Sequence, residues 1–568
     1  MMNQVDIEKI YSNEYADFII NYNGDPTVLE QYKNDNVNII NYYHAVVYLP
    51  VSVMTENVIS RMGYASIPKL FGFSSEASQE SSGINRLRKI PNFNLRGKGV
   101  LIGFIDSGID YTNPIFQNAD KTTKIASIWD QTIISDQIPM GMAYGTEYSR
   151  DQINEALKID NPYSLVPTKD EIGHGTMIAG IAAGNEVAES GFYGVAPEAD
   201  LVVVKLKPAK PYLKEFFRIP ENVVCYQEND VIFGIQYLIN YAIRLNQPIV
   251  ICIAIDTSQY ARDGRGITSS WLSIQASNAG IAALIAVGNE GNARRHYMGK
   301  IDDVSGYLNT VELNVGPNES GFSMELWGNT PNIFSIDILS PSGEYIPRMG
   351  IRLDETKQIA FIFEPTIIYI DYQNIETQSG DQLILLRFTK PSKGIWKFKV
   401  YSRGIYPINF NMWLPMDNWI SEDTYFIQSD PNITLLSLSC ASIPISVTAY
   451  NTDDESLYIK AGRGYTRINL VKPDIAAPGV NIVAPTLEQG FTKVSGTSAA
   501  VSHTAGVAAM LLEWGIVKGN YPDMSTEDMK IFMIRGARRK KSLKYPNPEW
   551  GYGILDIFNI FDIIRIQQ

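Results

Sequence analysis

Cysteine is scarce in this chain. Cys225, Cys252 and Cys440 are the only three in 568 residues, and they form no C-x-x-C pair. That count and spacing exclude a disulfide framework and a thiolate zinc site. Histidine is nearly as rare, with His44, His174, His296 and His503 making four, so any imidazole chemistry must use one of them. No apolar run reaches the roughly 18–20 residues that cross a bilayer, and the expectation is no membrane span. Basic charge is also short: 48 Lys and Arg stand against 61 Asp and Glu, a net charge of −13. Phosphate repels such a surface, which argues against nucleic acid and anionic membrane as partners. The opening MMNQVDIEKIYSNEYADF has no basic stretch leading into an apolar one. It therefore reads as lacking a secretory signal, with cytoplasmic synthesis and retention in the cell.

The remaining composition is globular, 45% hydrophobic and 19% charged, and the length suits about two to four domains. Residues 1–75 alternate as strand, helix, strand, strand, helix, strand. The runs are Asp17–Tyr22, Pro26–Tyr32, Val37–Ile40, Ala45–Leu49, Glu56–Met62 and Ile67–Phe73, a split βαβ order. The Ser- and Glu-rich Ser74–Gly83 that follows has no periodicity and reads as an exposed linker, within a boundary region at 76–96. From residue 97 apolar runs alternate with helical segments. Val100–Asp106, Leu201–Leu206, Ile249–Ile255 and Ala282–Val287, with Ile232–Leu245 between them, predict an α/β parallel sheet covered by helices on both faces. Between 296 and 432 the helical signal vanishes, and strand-like runs such as Phe334–Leu339, Gln382–Phe388 and Trp396–Tyr401 predict an inserted β-sandwich. The α/β pattern resumes at 433 and runs to 568.

Three short motifs occur in the order Asp, His, Ser. Asp106-Ser107-Gly108-Ile109-Asp110 ends a strand, Gly173-His174-Gly175-Thr176 opens a small-residue helix, and Gly496-Thr497-Ser498-Ala499-Ala500 opens another. A serine hydroxyl attacks a peptide carbonyl only when a neutral imidazole takes its proton, and a buried carboxylate must orient that imidazole. At a helix start, the Ser498 N–H and the positive helix end face a developing oxyanion. Asn289, in Gly288-Asn289-Glu290-Gly291 after a buried strand, can supply a second donor, whose loss costs on the order of 3 kcal/mol. Singly, each motif reads as a turn or a helix cap. Together, in this order, they read as a nucleophilic triad of the Asp–His–Ser arrangement.

These motifs resemble the subtilases, family S8 of the serine proteases, over about 97–295 and 433–568. DSGID, GHGTMIAG and GTSAAVSHTAG carry the likeness, with GVAP (194–197), PDIAAPG (473–479) and WGYG (550–553). The resemblance implies a serine endopeptidase with Asp106, His174 and Ser498 as the triad and Asn289 in the oxyanion hole. It implies that the N-terminal unit is a propeptide, a bound chaperone and inhibitor cleaved off within 74–83; a permanent structural domain is the alternative. The missing signal, the short N-terminal unit and the insertion at 296–432 further resemble the Csp germination proteases of spore-forming Clostridia. That narrower likeness implies a jelly-roll insert, a spore-associated location and a cortex-lytic zymogen as the protein substrate. An intracellular subtilase of a non-sporulating anaerobe and a silent protease-fold sensor or scaffold are the alternatives.

Three positions depart from the family. Ala254-Ile255-Asp256 stands at the substrate-pairing Ser-Leu-Gly, so Asp256 is expected to crowd or charge the groove. Ser502 replaces a proline, and Ser107 a threonine. No D-x-D-x-D-G loop is present, so no metal ligands or cofactor are assigned, and calcium is left undetermined. The basic run Arg538–Lys541 reads as a solvated helix end or a docking site for an acidic partner. Cys252 reads as an inert core thiol and Cys225 as more exposed.

Overall fold

A computed structural model of the chain describes residues 6–32, 36–77, 95–302, 308–348, 356–403 and 408–567. Eight strands form the central sheet, in the order Ile475–Pro478, Ile445–Tyr450, Ile281–Ala286, Ile249–Ile253, Leu101–Asp106, Asp200–Lys205, Ile125–Asp130, Thr146–Ser149. All neighbours are parallel except the last pair. Their near-continuous apolar composition follows from burial on both faces. Within Leu101–Asp106, Ile102 and Phe104 enter one core cluster while Leu101 and Ile105 enter the other. Helices His174–Ala183 and Thr497–Leu512 cover the first face; Glu228–Leu245 and Ile267–Ala276 cover the second. The Glu228–Leu245 helix sits so close that a Cβ on Gly103 would lie 2.7 Å from Leu238 Cδ1. The sequence reading did not anticipate Ile125–Asp130 or Thr146–Ser149. Thr497–Val517 is long and apolar enough to cross a membrane, but 78% of its most apolar 18-residue stretch is buried inside the fold, as a core helix is.

The N-terminal unit departs from its expected pattern. Its sheet has three antiparallel strands, ordered Tyr15–Asn21, His44–Pro50, Asn36–Ile39, with the 3₁₀ turn Pro26–Tyr32 and the helix Val58–Met62. The last strand, Leu70–Phe73, leaves that sheet. It lies between Tyr226–Gln227 and Ile255–Asp256, antiparallel to both. The chain then continues as Ser75–Ala77, which pairs with Phe491–Gly496. Ser74 is 2% exposed, so the start of the expected linker is a buried strand connection. Unpaired backbone groups on both sides of the cleft satisfy its N–H and C=O groups. The remainder of the expected linker, from 78 to 94, lies outside the described residues.

Between His296 and Phe426 lie two antiparallel sheets, of six and five strands, facing one another across Val311, Phe322, Trp396 and Phe410. The N-terminal unit is wedged between this sandwich and the central sheet's flank. One core cluster holds Phe18, Val47 and Tyr64 together with Leu213 and Phe217 of the Pro211–Phe217 helix and Trp327 and Trp413 of the sandwich.

Candidate active site

Asp106 ends its strand fully buried and fixed by the Ser107 N–H at 2.7 Å. Next to it the His174 helix begins at Gly173, whose φ of +87° favours glycine. Asp170 secures that start, accepting from the Gly173 N–H at 2.7 Å, the Thr176 N–H at 2.9 Å and the Thr176 hydroxyl at 2.8 Å. A Cβ on Gly175 would lie 2.0 Å from the Gly108 carbonyl oxygen, so only glycine lets the two motifs meet. His174 Nδ1 consequently lies 2.9 Å from both Asp106 carboxylate oxygens, and Nε2 lies 3.2 Å from Ser498 Oγ. Ser498 is the second residue of the Thr497–Leu512 helix and is fully buried. In that helix Ser502, at the position expected to be proline, donates to the Ser498 carbonyl at 2.7 Å, a bond any α-helix tolerates.

Residues 70–77 of the same chain occupy the cleft beside this group. Ser74 donates its N–H to the Ala254 carbonyl at 3.3 Å, and Asn289 Nδ2 donates to the Ser74 carbonyl oxygen at 2.5 Å. The Thr497 hydroxyl donates to the same oxygen at 3.4 Å while also lying 3.2 Å from Asn289 Oδ1. The sequence reading missed Thr497; its only signal was its place before the serine. Among the described bonds to that oxygen, none comes from the expected Ser498 N–H. Phe73 lays its ring 4.5 Å from the His174 imidazole. Ile255 and Asp256 pair with Phe73 and Gly72. Of the predicted residues, Asp106, His174, Ser498, Asn289, Ala254, Ile255 and Asp256 are thus all brought to one cleft.

The expected crowding by Asp256 is not seen. Its side chain is fully buried and turned away from the cleft, accepting the N–H groups of Thr257 at 2.6 Å, Leu438 at 2.8 Å and Ser439 at 3.0 Å. Burial pushes its carboxyl up to about 7, although those three N–H groups and Arg262 pull the other way. Only its backbone faces the groove. His503, in the same helix as Ser498, is buried with its pKa lowered to about 4 by desolvation, a packed imidazole. Cys225, expected to be more exposed, is buried like Cys252 and Cys440, and burial raises all three thiols. The basic run is partly absorbed by the fold: Arg538 pairs with Glu455 at 2.7 Å and Lys540 lies over the Trp550 ring. Among the described residues no group of three or more His, Cys, Asp and Glu side chains is arranged to hold a metal.

Comparison with known proteins agrees with this geometry. The sequence profile of the subtilase family matches residues 97–312 and 426–553, leaving out most of the sandwich. Subtilisin-like protease SBT1.9 of Arabidopsis thaliana is 24% identical over 491 residues, 78% of this chain, although the match spans only 60% of that relative. Subtilisin-like protease SBT4.14 of the same plant is 37% identical over 99 residues, covering 15% of this chain and 12% of the relative. The solved structure of the Clostridium perfringens CspB protease superimposes with a TM-score of 0.75 at 29% identity, over 84% of this chain and 97% of that one. With its motifs, its sheet and its sequence in agreement over both halves of the profile, the chain belongs to the subtilase family.

Proposed function

We propose that the protein is a serine endopeptidase that first cleaves its own Ser74–Ser75 bond. The observation that carries this reading is the placement of one carbonyl. Ser74 C=O accepts from Asn289 while its N–H is held by Ala254, beside a Ser498–His174–Asp106 chain of hydrogen-bond distances. In this reading His174 Nδ1–H is donated to Asp106, leaving Nε2 free to take the Ser498 proton. Ser498 Oγ then adds to the Ser74 carbonyl carbon, and the oxyanion gathers on the oxygen that Asn289 and Thr497 already contact. His174 returns the proton to the Ser75 nitrogen as that bond breaks. Water, activated by the same imidazole, releases the Ser74 carboxylate.

The N-terminal unit stays bound after the cut. Asp17, fully buried, accepts from Lys210 Nζ at 2.6 Å, Gln227 Nε2 at 3.0 Å and Asn229 Nδ2 at 3.2 Å, all on the catalytic side. On the sandwich side, Tyr64 donates to Glu325 at 2.5 Å. These buried contacts do not depend on the 74–75 bond. The likeness to the CspB protease supports a narrower physiological role: a spore-associated enzyme whose protein substrate is a cortex-lytic zymogen.

Intact-mass measurement of wild type beside Ser498→Ala tests the chemistry. Fragments 1–74 and 75–568 from wild type, with an intact Ser498→Ala chain, are expected. A wild-type chain that stays whole overturns the proposal. Conversion of a cortex-lytic zymogen by the purified protein, absent with Ser498→Ala, is the expected result for the narrower role; no conversion by self-cleaved enzyme overturns that role alone.

A further inference from the structure

We infer that Trp419 is a specificity-determining residue: an indole wall, supplied by the inserted sandwich, that favours glycine two positions before the cleaved residue. The inference rests on the peptidase reading above and names the sequences that the same site accepts. Gly72 occupies that position, paired with Asp256 in the cleft. A Cβ built on it would lie 3.0 Å from both Cζ2 and Nε1 of Trp419 and 3.2 Å from Cε2. One methyl already presses on the ring, and a longer side chain runs into it.

The ring has little room to yield. Trp419 is 2% exposed, and the adjoining cavity, bounded by Trp413, Ser258 and Glu325, measures about 10 Å³, room for about one water. The segment carrying the indole is tied to both flanks of the cleft. Met416 N–H donates to Ser258 Oγ at 3.1 Å, just beyond the Ile255–Asp256 strand, and Asp417 N–H donates to Glu290 at 3.2 Å, next to Asn289. Trp419 lies in the stretch that the subtilase profile leaves unmatched. This wall is therefore a feature that the insertion adds to the catalytic fold.

Self-cleavage of the full chain reads the effect. Gly72→Leu is expected to slow the cut at 74–75 roughly 10- to 100-fold, the range set by overpacking a close-packed wall. Gly72→Ala is expected to slow it by a smaller factor. Trp419→Ala in the Gly72→Leu chain is expected to restore most of the rate, a rescue that a folding defect at residue 72 would not show. If Gly72→Leu is insoluble, the Gly72→Ala pair with and without Trp419→Ala decides the question. Wild-type rates in both Gly72 variants, or no rescue in a double variant whose circular dichroism is native, overturn the inference alone. A wild-type chain that never cleaves itself overturns the peptidase reading together with it.

Discussion

Replacing Asp17 by alanine should detach the N-terminal unit once it has been cut. In the wild type the carboxylate is fully buried and held by Lys210, Gln227 and Asn229. Among the described residues no other anion lies within bonding distance of the Lys210 ammonium; its remaining acceptors are the Lys9 and Tyr15 carbonyls, at 3.0 and 3.1 Å. Burial already lowers the Lys210 pKa, and Asp17 opposes that fall. Removing Asp17 strands a buried cation, which costs about 3–5 kcal/mol, or roughly a 150- to 5,000-fold weaker complex of fragment 1–74 with 75–568. Size-exclusion chromatography of the self-cleaved protein at falling concentration measures this directly. Wild-type fragments should co-elute where the variant's separate. Adding Lys210→Met should recover much of the loss, because an apolar pair of similar volume removes the stranded charge. The reasoning is refuted if Asp17→Ala fragments co-elute as tightly as wild type, or if the double variant is as weak as the single one.

Three further outcomes follow from the same geometry. Asn289→Ala should slow self-cleavage by about 10²–10³-fold, the cost of one lost oxyanion donor, measured by quenched time courses on intact-mass spectra; an unchanged rate would sink the oxyanion assignment. Asp106→Asn should slow it by about 10⁴-fold through the wrong imidazole tautomer, with thermal unfolding showing that the fold survives. Burial, and after it the nearby Asp417 carboxylate, pushes the Glu290 carboxyl up to about 8 from an ordinary 4.5, and its Oε2 has no hydrogen-bond partner among the described residues. Folding therefore favours its protonated form, and the stabilisation, complete below pH 4.5, is lost as pH rises toward about 8. Glu290→Gln should flatten that fall, giving a higher Tm than wild type at alkaline pH and little difference at acid pH; parallel Tm–pH curves would contradict it.

The proposed triad was legible in the sequence because each member sits in a local pattern that the proposed chemistry demands. Asp106 follows an apolar strand, His174 and Ser498 open helices of small residues, and glycines flank them where backbones must touch. The parallel sheet was legible for a similar reason, since burial on both faces writes itself as unbroken apolar runs. The sandwich was legible as strands, and Pro26–Tyr32 as a short helical turn.

What remained hidden were the long-range partners. Ile67–Phe73 is equally apolar as the last strand of its own unit or as an added strand in the cleft, and only the open edges at Tyr226–Gln227 and Ile255–Asp256 decided between them. The direction of the Asp256 side chain was undecided until Leu438 and Ser439, some 180 residues away, offered their N–H groups. Trp419 and Gly72 are 347 positions apart in the chain, and nothing local in either residue announces their contact. The sequence by itself determined the chemistry and the elements that carry it, because those rest on short-range spacing and burial pattern. The tertiary structure alone decided what lies in the cleft and what walls it, because hydrogen-bond edges and packed faces choose their partners only when the whole chain has folded.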